Sequence, residues 1–186
     1  MYAFDTPAIH TPSLPDTTVR LRPYTIVWPL LFRKEWVQLR VRLGSGVLAV
    51  QHVGSTAIPG MLAKPIIDVN VAVADLTAAS PYVGLIERCG YTYCGENEEP
   101  HEYCFVKGDP VAYRLYVMEL GSEAWTARCC FRDYVMQRPE LIREYTSLKR
   151  QLVQRFPDDV RAYQAGKGEF IQKVLHMALE RDPGDR

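Results

Sequence analysis

Apolar residues recur in the first part of the chain in a pattern that predicts one helix. The positions that form this pattern, spaced three or four residues apart, are Trp28, Phe32, Trp36, Leu39 and Leu43. Pro29 is favourable in the first turn of a helix, and the glycines of residues 44–46 are expected to end it. The pattern therefore predicts a helix that opens at Trp28-Pro29 and buries one apolar stripe in the core.

Other apolar segments predict strands first and helices last. The predicted strands cover residues 19–22, 47–50, 66–73, 91–94, 102–107 and 111–118, and a helix is expected over 75–89. From residue 122 onward the pattern predicts helices over 122–138, over 139–157 and over 168–180. This order favours an α+β fold, with a mixed or antiparallel sheet flanked by helices and a helical C-terminal part.

Length and charge limit the classes of protein. The 186 residues suit a single domain, expected over 19–181, between a proline-containing N-terminal arm (1–18) and a short tail (182–186). Lys plus Arg and Asp plus Glu both number 22, so nucleic acid is not an expected partner. Because no segment has the apolar run of a membrane span or a signal peptide, we expect a cytoplasmic protein without a membrane partner.

The cysteines are expected to be free thiols, since their number is odd and the expected compartment is reducing. A zinc site formed by Cys89, Cys94, His101 and Cys104 is the alternative, although this spacing is not typical of a zinc knuckle. Buried structural cysteine is the more common situation in proteins. We therefore favour free thiols over a metal site.

The residues most suited to chemistry lie around two predicted strands. Gly54-Ser55 directly follows a buried strand, where backbone amides favour a phosphate group. Asp68 lies in the next strand, and Asn70 shares its face, so the two could hold Mg²⁺ together with substrate phosphates. Each motif alone is typical of an ordinary turn or strand end. Their combination favours a site for nucleotide phosphate and metal.

Two further residues beside these strands are candidates for phosphate binding. Lys64 precedes the strand of Asp68, where its charge could neutralise a phosphate, although a solvated loop lysine has the same pattern. His52 stands just before the Gly54-Ser55 turn, as either a direct ligand or a histidine packed at the end of a strand. Together with the turn and the strand acid, these residues form a combined motif for nucleotide binding.

The segments HVGSTAIPG (52–60) and KPIID (64–68) resemble the signature of the GrpB family, small bacterial proteins of the nucleotidyltransferase-like superfamily. The similarity extends upstream to Pro23-Tyr24 and Trp28-Pro29. Downstream it includes FRDY (131–134), LKR (148–150), FPDD (156–159), Tyr163, Lys167, Phe170 and Ile171. The resemblance therefore covers all but the first 18 residues.

The resemblance implies a minimal nucleotidyltransferase core, in which the Gly54-Ser55 turn binds phosphates and Asp68 binds a divalent ion. Some GrpB proteins are fused to a dephospho-coenzyme A kinase domain, which points to nucleotide-related chemistry. The family positions in the helical part are Arg132, Asp133, Lys149 and Lys167, and the basic side chains among them could bind a triphosphate or an anionic acceptor. Salt bridges on helix faces are the alternative for these four residues.

The chain departs from the superfamily pattern at the metal site. Asn70 stands where working nucleotidyltransferases present a second acid, and the later strand (113–116) offers no third one. Arg114 lies near the place where GrpB relatives often have histidine, and arginine favours phosphate or carboxylate over a metal. Asp68 and Arg114 are therefore the candidate catalytic residues, and Glu119 is a distant candidate acid that equally suits a surface position.

These residues predict a protein that binds ATP or another nucleoside triphosphate with Mg²⁺ and transfers a nucleotidyl group to a small acceptor, or activates that acceptor as an adenylate. Such a protein would be a nucleotidyltransferase or an adenylate-forming ligase. The alternative is a regulatory module that binds a nucleotide or another small ligand without catalysis, which Asn70 and Arg114 favour. A folding or assembly partner of a nucleotide enzyme is a third hypothesis.

Overall fold

The structure, a computed structural model, describes residues 18–97 and 101–180. Its strands within these ranges are β1 (Ala49–Val53), β2 (Ile67–Val73), β3 (Thr92–Asn97), β4 (Glu102–Lys107) and β5 (Tyr113–Glu119). Its helices are α1 (Val27–Leu43), α2 (Ser80–Glu87), α3 (Glu123–Met136), α4 (Pro139–Arg155), α5 (Val160–Ala165) and α6 (Gly168–Leu179). Apart from Thr18, the predicted arm (1–18) and the tail (182–186) lie outside the described residues.

The described strands form one mixed sheet in the order β1-β2-β5-β4-β3. β2 and β5 are parallel, whereas the other neighbouring pairs are antiparallel. In this register Asp68 of β2 lies between Val53 of β1 and Arg114 of β5. The predicted α+β fold, with a mixed sheet, flanking helices and a helical C-terminal part, is confirmed.

The two faces of the sheet differ in chemistry, because alternate side chains of a strand point to opposite sides. One face is apolar and joins the core formed with α1 and α2 through Val69, Val71, Leu115 and Val117. The opposite face carries the polar side chains of Asp68, Asn70, Arg114 and Tyr116. The apolar face holds the strands in the core, so the polar face is the one available for chemistry.

A second apolar cluster fixes the segment that follows β1. Ile58 and Met61 are fully buried, and they pack among apolar side chains of α3, α4 and α6. Within this cluster the rings of Tyr145 and Phe170 stack with their centroids 4.6 Å apart. Because the C-terminal helices hold this segment, they also bring their own polar side chains to the turn at residues 54–55.

Helix α1 confirms the predicted helix but not the whole of its buried stripe. Trp36 is 40% exposed, whereas Glu35 takes the inward position and is 2% exposed. The Glu35 carboxylate accepts hydrogen bonds from Lys107 Nζ at 2.9 Å and from the Tyr91 hydroxyl at 3.1 Å. These partners come from β4 and from the residue before β3. The pattern of apolar residues in α1 therefore could not predict that Glu35 would be buried, because the groups that stabilise its carboxylate lie far away in the sequence.

Residues 19–22 were expected to form a strand, and this prediction is wrong. Only Arg22 makes a bridge, an isolated one with Ala63. Val19 is 3% exposed, and it packs against side chains of the C-terminal helices, including Leu152 and Tyr163. The alternating pattern of this segment thus reflects contacts with helices, which satisfy its apolar residues without a neighbouring strand.

The helix expected over 75–89 is shorter in the structure, since α2 covers only Ser80–Glu87. Asp75 Oδ1 accepts hydrogen bonds from the backbone nitrogen and the hydroxyl of Thr77, at 2.8 Å and 2.6 Å. Such a local side-chain turn competes with helical hydrogen bonds, so the helix starts later. None of the helices in the described part of the chain is long and apolar enough to cross a membrane.

The cysteines are free thiols that lie on different sides of the sheet. Cys89 belongs to the core formed with α1 and α2, whereas Cys94 and Cys104 pack on the opposite face. Among residues 18–97 and 101–180, no group of three or more His, Cys, Asp or Glu side chains is placed to hold a metal ion. The alternative zinc site with His101 is therefore not formed in these ranges.

Candidate functional site

The turn after β1 brings the chain into direct contact with the acid of β2. Gly54 has φ 71° and ψ −174°, a conformation that is essentially restricted to glycine. A Cβ atom at this position would lie 2.4 Å from Asp68 Oδ2, so the carboxylate rests against the Gly54 backbone. Glycine thus does two things here, because it permits the turn and leaves room for the acid.

A cleft opens beside this turn, on the polar face of the sheet. Its lining residues are Ser55, Thr56, Ala63, Lys64, Ile66, Asp68, Arg114, Lys149, Tyr163, Gln164 and Lys167. The cavity volume is about 70 Å³, room for one group of the size of a phosphate. Four side chains of the lining are basic and one is a carboxylate, so the cleft has the chemistry of an anion site.

Lys149 reaches the turn from α4 and is 2% exposed. Its Nζ donates a hydrogen bond to the Leu62 carbonyl and lies 3.2 Å from Ser55 Oγ. The ring centroid of Tyr145 is 4.4 Å from the same nitrogen. Burial, and to a smaller extent the charge of Lys167, lowers the pKa of Lys149 to about 6. Lys149 therefore connects α4 to Ser55 and to Leu62, which lie at the two ends of the segment after β1.

The other charged residues of the cleft act strongly on one another. Burial lowers the pKa of Lys167 to about 7, with the charges of Arg114 and Lys64 acting in the same direction and Asp68 against them. Burial raises the pKa of Asp68, and the surrounding cations oppose that rise. Arg114 keeps its Nε buried without a hydrogen-bond partner in the structure. An anionic ligand would relieve this crowding of positive charge.

Asn70 was predicted to share a metal with Asp68, but the structure places it outside the cleft. It is completely buried, and its Oδ1 accepts a hydrogen bond from Arg128 Nη1 at 3.4 Å. Arg128 extends from α3 over this face of the sheet, where it forms an ion pair with Glu102 at 2.7 Å. Among the described lining residues, Asp68 is left as the one carboxylate able to bind Mg²⁺. This donor set suits an ion that arrives with phosphate groups, since one carboxylate among four cations holds a free ion poorly.

His52 lies behind the turn and does not line the cleft. Its Nε2 is 3.0 Å from Thr56 Oγ1, and the Thr56 hydroxyl donates to the Ile66 carbonyl at 3.1 Å. The His52 ring stacks on Phe32 with a centroid distance of 4.8 Å. Burial, and to a smaller extent the charge of Arg132, lowers the pKa of His52 to about 4. The structure therefore favours the packed histidine over the direct phosphate ligand.

This position of His52 predicts a pH-dependent stability. We expect the free energy of unfolding to decrease as the pH falls from 6.5 to about 4, because only the unfolded chain binds a proton at His52 in this window. The effect of such a shift is about 3 kcal/mol. Urea unfolding at several pH values measures it, as the difference between the wild type and His52→Gln.

A histidine on the surface provides the control for this measurement. The side chain of His176 is 70% exposed, so His176→Gln should leave the pH dependence as it is in the wild type. If His52→Gln also follows the wild-type curve between pH 6.5 and about 4, then His52 is not the group responsible. The comparison with the wild type is needed because the cleft lysines also bind protons differently in the folded and unfolded states.

Three other candidate residues have structural contacts. Arg132 of α3 donates to Gln51 Oε1 at 2.9 Å and to the His52 carbonyl at 2.7 Å, and it pairs with Asp133. Neither Arg132 nor Asp133 lines the cleft. The carboxylate of Glu119 accepts a hydrogen bond from the Leu76 backbone at 3.1 Å, which fixes the loop before α2. These three residues therefore tie helices and loops to the sheet.

Sequence reasoning missed Gln164, Arg128 and Glu102, and it included Tyr163 only as part of the family resemblance. Tyr163 and Gln164 of α5 line the cleft, and the Arg128–Glu102 pair fills the sheet face beside it. Arg128 also covers the Tyr116 ring at 4.2 Å. The one available signal was that Arg128 precedes Arg132 by four residues, which puts both on one side of α3. Nothing in the local sequence indicated which partners they meet.

Fold and site together define an α+β protein with a cationic cleft beside a Gly-Ser turn, and comparison with known proteins identifies its family. The family model described as GrpB protein matches residues 18–177. The crystal structure of conserved protein GrpB from Enterococcus faecalis has a TM-score of 0.81 and 30% identity, covering 87% of this chain and 98% of that chain. The chain belongs to the GrpB family.

Two curated relatives are longer than this chain. The UPF0157 protein YqkA of Bacillus subtilis is 35% identical over 165 residues, which cover 88% of this chain and 48% of that protein. A protein named dephospho-CoA kinase from Mycolicibacterium paratuberculosis is 26% identical over 198 residues, covering 92% of this chain and 49% of that protein. The chain thus spans about half the length of each of these relatives.

Proposed function

We propose that this GrpB protein binds the phosphate chain of a nucleoside triphosphate, such as ATP, in the cleft beside Ser55, together with Mg²⁺. The bound nucleotide is then used for nucleotidyl transfer to a small acceptor or for its activation as an adenylate. The observation that carries the proposal is the convergence of four basic side chains on the Gly-Ser turn: Lys64, Arg114, Lys149 and Lys167.

The charges of the cleft favour a polyanionic ligand. Lys149, with a pKa of about 6, is mostly neutral at neutral pH, whereas Lys167, with a pKa of about 7, is about half protonated. A phosphate beside Lys167 stabilises its charged form, so binding should take up protons from solution. The buried Nε of Arg114 also gains an acceptor. Each of these changes makes the bound state of the cleft more favourable than the empty one.

The size of the cleft limits how the nucleotide is held. The cavity of about 70 Å³ accepts one phosphate group, while sites that enclose a whole small molecule measure about 300–1,000 Å³. The remaining phosphates, the sugar and the base would therefore lie in the open part, where Mg²⁺ can join Asp68 to the phosphate chain. The relative named dephospho-CoA kinase supports nucleotide-related chemistry in proteins that contain this kind of domain.

A binding module without catalysis is the second candidate, and a specific observation favours it. Asp68 is the only carboxylate among the described lining residues, and Arg114 faces it from the neighbouring strand. A nucleotidyl transfer needs a group that accepts the proton of the attacking acceptor. In this cleft only Asp68 or a neutral lysine has that ability, so catalysis depends on whether one of them is free to act.

Isothermal titration with ATP tests the proposal. Lys167→Met should weaken binding about tenfold or more, because one charge-assisted hydrogen bond contributes about 1.5–3 kcal/mol. Lys173→Met removes an exposed lysine of the adjoining α6, whose side chain is 53% exposed and paired with Glu144, and should bind ATP like the wild type. Equal losses in the two variants would indicate only a general effect of charge.

A second arm separates the metal from the phosphate. Asp68→Asn should weaken binding of ATP with Mg²⁺ and strengthen binding of ATP without it, because the carboxylate attracts the ion and repels the phosphates. Pyrophosphate release with candidate acceptors, lost in Asp68→Asn, would support the enzyme. Binding without turnover would support the regulatory module, and no ATP binding by the wild type would remove both candidates.

A further inference from the structure

The surroundings of Lys149 favour a neutral amine. The residue is 2% exposed, and none of the ion pairs in the described part of the chain involves it. One N–H is directed at the Leu62 carbonyl. In the neutral form, the lone pair of Nζ is then available to the Ser55 hydroxyl, whose oxygen lies 3.2 Å away. A buried amine in this position can take the proton of that hydroxyl.

We infer that Ser55 and Lys149 form a nucleophile–base pair that accepts the acyl group of a small acyl phosphate, the mixed anhydride of a carboxylic acid and a phosphate. Ser55 lines the same cleft as Lys64, Arg114 and Lys167, which lie where they can hold the phosphate end. The inference rests on the proposed function because the adenylate formed by acceptor activation is itself an acyl phosphate. The Ser55–Lys149 pair would act after that activation step.

The first step forms an ester on the protein. Ser55 Oγ attacks the carbonyl carbon of the acyl phosphate while its proton passes to Lys149 Nζ. The bond between Oγ and the carbonyl carbon forms, the bond between that carbon and the phosphate oxygen breaks, and the phosphate leaves with the electron pair. The departing phosphate needs positive charge near it but no proton, and the cationic lining of the cleft meets that need.

The second step releases the acyl group. Lys149, having lost its proton to solvent, accepts a proton from a water molecule as the water oxygen attacks the ester carbonyl. The bond to Ser55 Oγ breaks, the serine oxygen takes the proton back from Lys149, and a carboxylic acid is released. An amine in place of water would give an amide by the same sequence. The pair returns to its starting state in both cases.

The protonation of Lys149 agrees with this geometry. Burial and the charge of Lys167 lower the pKa of Lys149 to about 6, so the base form dominates at neutral pH. The other charged and titratable groups around it are Lys64, Asp68, Arg114, Tyr145 and Tyr163. Asp68 is the only acid in this set, and its influence falls on Lys167, whose pKa it raises.

Acetyl phosphate is the probe for a direct test. The full chain is incubated with it, quenched with acid and mapped by mass spectrometry. We expect an acetyl group on Ser55, formed at a rate that rises with pH up to about 6 and then levels. Ser55→Ala should carry none at this position, and Lys149→Met should react at least about 100-fold more slowly. Ser45→Ala removes an exposed serine outside the cleft and should react like the wild type.

Several outcomes would overturn the inference. Acetylation of Lys149 itself with none on Ser55 would make the lysine the nucleophile. A Lys149→Met rate equal to that of the wild type would remove the base. If that variant does not fold, the wild-type pH profile decides, and a rate that is unchanged across pH 6 rejects Lys149. ATP titration of the same wild-type sample reports separately on the proposed function, since ATP binding without acetylation of Ser55 rejects only this inference.

Discussion

Arg128→Met is expected to lower the free energy of unfolding by about 3–5 kcal/mol, because it leaves a buried charge without its partner. The partner is Glu102, whose side chain is 1% exposed and lies 2.7 Å from the arginine. The substitution also removes the donor to Asn70 and the group that covers the Tyr116 ring. Urea unfolding monitored by circular dichroism gives the free energy.

An exposed ion pair and a double variant define the controls for Arg128. Lys173 pairs with Glu144 at 2.8 Å, and the two side chains are 53% and 48% exposed. Lys173→Met should therefore cost no more than about 1 kcal/mol. Adding Glu102→Gln to Arg128→Met should recover part of the loss, since no buried charge remains. If Arg128→Met costs as little as Lys173→Met, the pair does not stabilise the fold.

The Arg128–Glu102 pair also matters for the site. Helix α3 uses it to close the sheet face over Asn70, which keeps this amide away from the cleft. The charge of Arg128 also opposes the rise that burial causes in the pKa of Asp68. A loss of this cation should therefore raise the pKa of Asp68 further and weaken the Mg²⁺ binding proposed for that carboxylate. The stability of the fold and the proposed ligand binding thus depend on the same part-buried arginine.

Gly54→Ala is expected to damage both stability and binding. The backbone conformation of Gly54 costs about 1–3 kcal/mol for any other residue, and the new Cβ atom would lie 2.4 Å from Asp68 Oδ2. Forcing the carboxylate aside adds about 1–3 kcal/mol and moves the acid away from the cleft. Urea unfolding and ATP titration with Mg²⁺ measure the two effects.

The chain contains a matched control for this substitution. Gly44 has a similar backbone, with φ 66° and ψ −149°, but a Cβ there meets no atom within 4 Å. Gly44→Ala should therefore cost only the backbone part and leave ATP binding unchanged. The difference between the two variants isolates the close approach of Asp68 to the turn. Equal effects on stability and binding would mean that this approach is unimportant.

Part of the candidate site could be predicted because its residues are close in sequence. Gly54, Ser55, Lys64 and Asp68 lie on two consecutive strands and their connections, and the antiparallel pairing of β1 with β2 brings them together. Lys149 and Lys167 were found only through the family resemblance. Their helices have no local feature that distinguishes these lysines from solvated ones, because the contacts that bury them come from distant segments.

The placement of His52 and Asn70 outside the cleft has the same physical origin. His52 and Asn70 occupy the expected positions on their strands, but the neighbours that cover them come from α1 and α3. Strand periodicity predicts which face a side chain takes, and it was correct for Asp68 and Asn70. It contains no information about which part of that face a helix will cover. Arg128 lies 58 residues further along the chain than Asn70, so strand periodicity could not identify it as the partner of that amide.

Local periodicity and backbone preferences are sufficient to predict the α+β class, the five described strands of the sheet, the Gly54-Ser55 turn and the strand that holds Asp68. Which side chains meet at that turn depends on packing between distant parts of the chain. Helix α4 brings Lys149 to the cleft, the residue before α6 is Lys167, and α3 closes the sheet over Asn70. Packing between distant segments thus gives the cleft its four basic side chains and its single acid, while the binding of phosphate and metal there stays a prediction.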